Sequence, residues 1–219
     1  MLFDPSKYLP AMTTFLLIRH ALCDPVGRSI AGRAPGIHLN DSGRRQAQRL
    51  ARTLSATPLS GVYSSPLERA VETARPIAER HGLQVQRVES FNEIDFGSWT
   101  GRTLAELDPL PEWARFNASR SRCSTPGGEN MAEVLGRVLR ELDRLGELHP
   151  PPQAVAVVSH GDVLRSLMAH ALGMPLDLIH RLEISPASIS ILETGGSAPR
   201  VLLLNSTDDW LRDSAEGNR

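Results

Sequence analysis

Two histidines occupy equivalent places in the sequence. His20 follows the apolar run Phe15-Leu16-Leu17-Ile18 in Ile18-Arg19-His20-Ala21, and His160 follows Ala154-Val155-Ala156-Val157-Val158 in Val158-Ser159-His160-Gly161. Short apolar runs suit strands buried on both faces. In open α/β sheets the ligand crevice lies beyond the carboxyl ends of such strands, so two histidines at two strand ends are placed to face one another. A lone histidine is usually a packing or solvated residue. His38, His81, His149, His170 and His180 lack the shared context and read as surface or packing residues.

Two chemistries compete for the pair. His20 with Asp24, or His160 with Asp162, offers nitrogen and oxygen ligands to a metal. Arg19 argues against that reading, because a permanent cation beside a ligand repels the metal. An anionic substrate fits better, since guanidinium groups bind phosphate oxygens through paired donors and stay charged at any working pH. Arg69, one turn into the helix expected after Ser64-Ser65-Pro66, follows another strand end and can enter the same crevice. The segment Phe91 to Gly101 follows a further expected strand and sets Glu93 and Asp95 among aromatics and glycines. An apolar setting raises a carboxyl pKa and makes it a proton donor near neutrality. On composition alone either carboxyl qualifies.

Composition removes several alternatives. Of the 24 basic residues in the 219-residue chain, Lys7 is the one lysine and 23 are arginines. Walker P-loop, kinase, Schiff-base and pyridoxal-phosphate chemistries each need a placed lysine, and Lys7 sits in a Pro-flanked N-terminal stretch. Cys23 and Cys123 form no CxxC pair, and neither has an arginine six positions later, so the tyrosine-phosphatase loop is absent. Two isolated cysteines with no visible targeting segment point to a reducing, cytoplasmic setting. A net charge of −1 gives no argument for nucleic acid or for an anionic membrane.

The elements that must hold these residues read as alternating strands and helices. Residues 1–12 form an N-terminal extension, 13–205 a single domain and 206–219 a polar tail. After the strand at Phe15–Ile18, residues 24–40 are loop, and Asn40 or Asp41 caps a helix running to Leu54. Gly61–Ser64 is a strand, a Ser65-capped helix runs towards Gly82, and Gln84–Glu89 alternates like a half-buried strand. Residues 101–128 are irregular. A helix covers Met131 to Leu145, a strand Ala154–Val158 and a helix Asp162 to about Leu172, with strands at 187–193 and 200–204. The expected class is α/β, a three-layer sandwich whose mostly parallel sheet is covered by helices on both faces.

With these motifs in order, the chain resembles the histidine phosphatase superfamily, the phosphoglycerate-mutase-like fold, over residues 14–205. The family's Arg-His-Gly appears as Arg19-His20-Ala21, with alanine as the departure nearest the histidine. Gly32-Arg33 to Gly43 is similar to the family's loop entering the first helix. Tyr63-Ser64-Ser65-Pro66-Leu67-Glu68-Arg69-Ala70 with Glu72-Thr73-Ala74 matches its second motif. Glu93, four residues before Gly97, takes the acid/base place. Pro126-Gly127-Gly128-Glu129 and Ser159-His160-Gly161 complete the set.

The resemblance implies a metal-independent phosphomonoester hydrolase acting on a small phosphorylated metabolite without a cofactor. His20 is then the nucleophile that forms a phosphohistidine. Arg19, Arg69 and a protonated His160 bind the non-bridging oxygens. Glu93 protonates the leaving group and then activates water. Arg28, Arg33 and Asn40 are further candidates for substrate contact, and residues 22–37 and 99–125, with Trp99, Trp113 and Phe116, flank the leaving-group side. A phosphoglycerate-mutase-type transfer is the nearest alternative, but only 67 residues separate Glu93 from His160, which leaves little room for the glycolytic mutases' long insertion. A phosphate-binding pseudoenzyme is the third, although both His20 and Glu93 are present. A homodimer is compatible with the sequence.

Overall fold

The apolar run at Phe15–Ile18 lies inside β1 (Thr13–Arg19), near the centre of a six-stranded sheet. The protein is described here from a computed structural model covering residues 12–196 and 198–207. Most of the expected extension (1–11) and of the polar tail (208–219) lies outside the described residues. The other strands are β2 (Leu59–Ser64), β3 (Val85–Arg87), β4 (Ala154–Ser159), β5 (Ile189–Thr194) and β6 (Arg200–Ser206), in the spatial order β3-β2-β4-β1-β5-β6. β3, β2, β4 and β1 run parallel, β5 is antiparallel to β1, and β6 is antiparallel to β5. The sheet is mostly parallel, as the alternating strand–helix order predicts.

Period-two alternation sends successive side chains of each strand to opposite faces. Phe15, Leu17, Val155 and Val157 join α5 (Met131–Leu148) and α6 (Gly161–Ala171) in one core. Leu16, Ile18, Val62 and Val158 join α1 (Asp41–Thr53) and α2 (Glu68–Arg80) in the other. Each fully buried Leu, Ile or Phe contributes roughly 2 kcal/mol, so both faces of β1 anchor the strand that carries His20. One register pair and one hydrogen bond then align the site. Arg19 stands opposite Ser159 across β1 and β4, and the His20 N–H donates to the Ser159 carbonyl at 2.9 Å.

Several boundaries differ from expectation. The helix after β2 starts at Glu68, with Leu67 at its N-cap, because the Ser65 hydroxyl is bonded elsewhere. It ends at Arg80, just before Gly82 at φ +64°. Only Val85–Arg87 of the expected strand at 84–89 pairs, since β3 is a sheet edge bonded to β2 alone. The irregular stretch 101–128 contains α3 (Leu104–Leu107), closed by a Thr103/Glu106 capping box, and α4 (Pro111–Ala118), which begins on proline. Asn40 caps α1 by accepting from the Gly43 N–H at 2.9 Å. Among the described residues no helix is long and apolar enough to cross a membrane.

Candidate active site

The carboxyl ends of β1, β2 and β4 deliver their residues to one place. A cleft of about 140 Å³ is lined by Arg19, His20, Arg69, Glu93, Asp162 and Arg165, among others. His160 lies buried behind His20, with ring centroids 5.2 Å apart and planes at 59°. The five residues expected to form the site are therefore together. α6 starts at Gly161, directly after His160, so Gly161 and Asp162 of its first turn also line the cleft.

His20 presents a single nucleophilic atom. Its Nδ1 lies 2.8 Å from the Ala21 carbonyl oxygen; a carbonyl only accepts, so Nδ1 carries the proton and Nε2 keeps its lone pair. Burial first, then the charges of Arg69 and Arg19, hold the ring well below the usual histidine pKa, so it is neutral at pH 7. Ala21 sits in no left-handed conformation, and its N–H donates to Thr73 Oγ1 at 2.9 Å. Thr73 donates in turn to the Arg69 carbonyl at 2.7 Å. This link ties the nucleophile's strand end to α2 and accounts for the Glu72-Thr73-Ala74 segment.

The two guanidiniums hold donors in reserve. Arg69 is 1% exposed; its Nη2 donates to the Gly32 carbonyl at 2.7 Å, while Nε and Nη1 are buried without a protein acceptor. Arg19 donates from Nη1 to the Ile184 carbonyl at 2.6 Å, and its buried Nε has no acceptor. Burying such a donor costs about 1–3 kcal/mol unless an acceptor meets it. Three of them beside a neutral imidazole fit an oxyanion of tetrahedral shape. His160 completes the surround, with Nε2 2.8 Å from Ser65 Oγ and Nδ1 3.4 Å from Arg69 Nη2. Burial, then Arg69 and the other nearby cations, lower its pKa well below the usual value, so without an anion it too is neutral.

Glu93 is one of two carboxyls that line the cleft, beside Asp162. Burial, reinforced by the negative charge of Asp162, pushes its pKa up to about 7 against the opposing pull of Arg69 and Arg19. Its Oε1 accepts from the Ile94 N–H at 3.0 Å. Asp162 is held the other way: burial alone would raise it, but Arg120 and Arg165 outweigh that and keep it below the ordinary range. Arg120 Nη1 and Arg165 Nη1 lie 2.8 and 3.1 Å from its two oxygens. Both oxygens are thus committed to arginines rather than offered to a metal. Asp95, the other carboxyl considered, accepts from the Gly97 N–H at 2.9 Å and shapes the turn instead.

The other expected contacts lie elsewhere. Arg33 does not line the cleft. It donates from Nε to the Glu93 carbonyl and from Nη2 to Glu129 Oε2, both at 2.8 Å, so it supports the acid's backbone. Asn40 is spent on the α1 cap and on Asp24 Oδ1 at 3.0 Å. Arg28 is exposed in the turn above, outside the cleft lining. Trp99, Trp113 and Phe116 pack on one another, with centroids 5.3–5.9 Å apart, in the core beneath.

Sequence reading missed the supports of the acid loop. Glu129 accepts from Arg33, from Arg137 Nε at 3.1 Å and from the Asp95 N–H at 3.0 Å. Arg137 also donates to the Ser90 carbonyl at 2.6 Å and the Glu93 carbonyl at 3.2 Å. Gly97 and Gly128 let the two loops touch: a Cβ would meet the Pro126 oxygen at 2.0 Å and the Asp95 oxygen at 2.1 Å respectively. The Gly-Gly-Glu run at 127–129 was the available signal.

Known phosphatases resemble this chain in sequence and in fold. A phosphoserine phosphatase of Hydrogenobacter thermophilus is 34% identical over 200 residues, 90% of this chain and 93% of that protein. The adenosylcobalamin/alpha-ribazole phosphatase of Escherichia coli is 30% identical over 193 residues, 87% of this chain and 94% of that protein. The solved mycobacterial glucosyl-3-phosphoglycerate phosphatase superposes with a TM-score of 0.80 at 26% identity, covering 88% of this chain and 98% of that one. Against some other curated relatives the chain spans about half, 54%, of a longer protein. The family profile itself matches residues 15–207, and the chain belongs to the histidine phosphatase superfamily, branch 1.

Proposed function

We propose that this protein is a metal-independent phosphomonoesterase that hydrolyses a small phosphorylated metabolite through a phosphohistidine on His20. The observation that carries this reading is the His20 ring, neutral, with Nδ1–H tied to the Ala21 carbonyl and Nε2 free beside two guanidiniums. In the first step the Nε2 lone pair forms the N–P bond as the bond from phosphorus to the leaving oxygen breaks. Glu93 gives its proton to that oxygen, releasing an alcohol. In the second step the Glu93 carboxylate takes a proton from water, whose oxygen attacks phosphorus. The N–P bond breaks, and orthophosphate leaves with the Nε2 lone pair restored.

Arg19, Arg69 and His160 bind the non-bridging oxygens. The guanidiniums supply the positive charge that a loose phosphoryl transition state requires. A pKa near 7 suits Glu93 to both roles, since it must donate and then accept at one working pH. His160 is neutral before substrate arrives, so a dianionic phosphate brings the charge that lets Nδ1 take a proton and donate. The two free cysteines support a reducing, cytoplasmic compartment.

The test is hydrolysis of p-nitrophenyl phosphate and of a panel of small phosphate esters by wild type and His20→Ala, with alkaline-quench trapping of the labelled phosphoenzyme. Wild type is expected to release orthophosphate and form an acid-labile, base-stable adduct that His20→Ala lacks. Isomerisation of 3-phosphoglycerate primed by 2,3-bisphosphoglycerate, without phosphate release, would select the mutase. Equal, negligible turnover by both proteins would select a binding role.

A further inference from the structure

We propose that Ser65, held by Asn92 and Glu89, is the positioning residue for His160, fixing its tautomer and turning Nδ1 towards Arg69 and the phosphate. The inference rests on the phosphatase reading for its consequence, but its geometry stands apart from it.

The direction of every bond in the chain follows from its outer end. Asn92 Nδ2 lies 2.6 Å from Glu89 Oε2, and a carboxylate accepts, so the amide nitrogen must face Glu89. The amide oxygen of Asn92 therefore faces inwards, 2.9 Å from Ser65 Oγ. An amide oxygen also only accepts, so the Ser65 hydroxyl proton is spent on Asn92. Ser65 Oγ, 2.8 Å from His160 Nε2, has only lone pairs left to offer, and Nε2 must carry the proton. The Leu67 N–H at 3.3 Å fills the remaining lone pair of Ser65. Nδ1 is then the unprotonated nitrogen of resting His160, which agrees with its neighbour Arg69 Nη2, a donor, at 3.4 Å.

The consequence concerns charge. Arg69 on α2, His20 and Arg19 at the end of β1, and Arg137 on α5 all oppose protonation of His160. Ser65 is fully buried, as is His160, so no solvent is at hand to accept from Nε2–H. The chain to Glu89 favours the imidazolium, because its last acceptor is an exposed acidic group. The amide passes no proton along, so the chain polarises and orients without conducting. It also explains why Ser65 does not cap α2.

The test uses the full-length chain with 15N-labelled histidine, NMR, and orthophosphate as the probe. Wild-type His160 is expected as the single Nε2–H tautomer without phosphate and as the imidazolium with saturating phosphate. Ser65→Ala should give mixed tautomers and a roughly tenfold weaker phosphate Kd at pH 8, the worth of one buried hydrogen bond. Glu89→Gln, at an exposed position, keeps the tautomer but should move the phosphate-bound His160 titration to lower pH and weaken Kd about two- to threefold. A single Nε2–H tautomer with wild-type Kd in Ser65→Ala overturns the proposal. If Ser65→Ala does not fold, an unmoved titration in Glu89→Gln overturns it instead. A wild type that shows these spectra yet hydrolyses no phosphate ester would sink the phosphatase reading and leave the positioning assignment standing.

Discussion

Arg33 Nη2 and Glu129 Oε2 meet at 2.8 Å across 96 residues of sequence, joining the loop after β1 to the turn before α5. Their contact is made on the backbone of Glu93, since Arg33 and Arg137 both donate to the Glu93 carbonyl. Burial alone would raise Glu129, but Arg137, the Asp95 N–H and Arg33 hold it below the usual carboxylate value.

Glu129→Ala should therefore act on catalysis through the acid. We expect kcat for an alkyl phosphate to fall roughly 10- to 100-fold with little change in the orthophosphate inhibition constant. The guanidinium clamp does not depend on Glu129. The partly exposed network contributes about 1–2 kcal/mol, so a thermal melt should show a modest drop. Because the folded pKa lies below the unfolded one, this stability is present above about pH 4.3 and lost as pH falls through the folded value. The wild-type advantage over Glu129→Ala should vanish in strong acid. Equal loss of kcat and phosphate binding would show that Glu129 supports the clamp instead.

The pH profile follows from two groups. His20 must be neutral to attack, and its pKa lies well below the usual histidine value, so activity should persist to the acid side of neutrality. Glu93 must be protonated to release an alkoxide, and it titrates at about 7. For alkyl phosphates kcat/KM should fall tenfold per pH unit above about 7. p-Nitrophenyl phosphate, whose leaving group needs no proton, should keep a flatter alkaline limb in pre-steady-state phosphorylation. Identical alkaline limbs for both esters would remove Glu93 as the acid.

Much of this site was legible because buried parallel strands announce themselves as apolar runs, and their carboxyl ends are a geometric fixture of the fold. His20, His160 and Arg69 were placed by that rule, and they share the crevice. Where a side chain turns after leaving its strand is set by distant partners, which periodicity does not encode. Ser65 looked like a helix cap because serine before proline and glutamate usually is one; Asn92 and His160 outcompete the helix for its hydroxyl. Arg33 reads as a substrate ligand in the sequence, but Glu129, far along the chain, holds its guanidinium. Trp99, Trp113 and Phe116 lie in a polar stretch of sequence, yet they join the core that Leu107 of α3 also enters.

Glu93 also links function to stability. Its folded pKa is raised, so its contribution is present below about pH 4.3 and is lost as pH rises through about 7, where a half-buried carboxylate must ionise. Glu93→Gln removes that charge while keeping the shape. At pH 8 the variant should be more stable than wild type by on the order of 2 kcal/mol, and at pH 4 the two should match. Its kcat should fall about 10²- to 10⁴-fold. Paired melts at the two pH values check this, and an equal difference at both would contradict the ionisation argument.

Arg69 makes the complementary case for the anion. Its Nε and Nη1 are buried without acceptors, beside Arg19 Nε in the same condition. Orthophosphate meets those donors in the folded state alone, so it should stabilise the protein by RT ln(1 + [L]/Kd), about 2.7 kcal/mol at a hundredfold excess over Kd. Replacing Arg69 by Met removes a buried charge and its orphan donors while keeping most of the aliphatic volume. Without phosphate, Arg69→Met should melt no lower than wild type, even though Arg69 Nη2 loses the Gly32 carbonyl. With phosphate, the wild-type melting temperature should climb with concentration and that of the variant should stay flat. Arg69→Lys should recover little of the shift, because an ammonium presents one point charge where the guanidinium presents a planar pair of donors. A full phosphate-induced shift in Arg69→Met would mean that the anion is held without Arg69, and the two-arginine clamp would have to be abandoned.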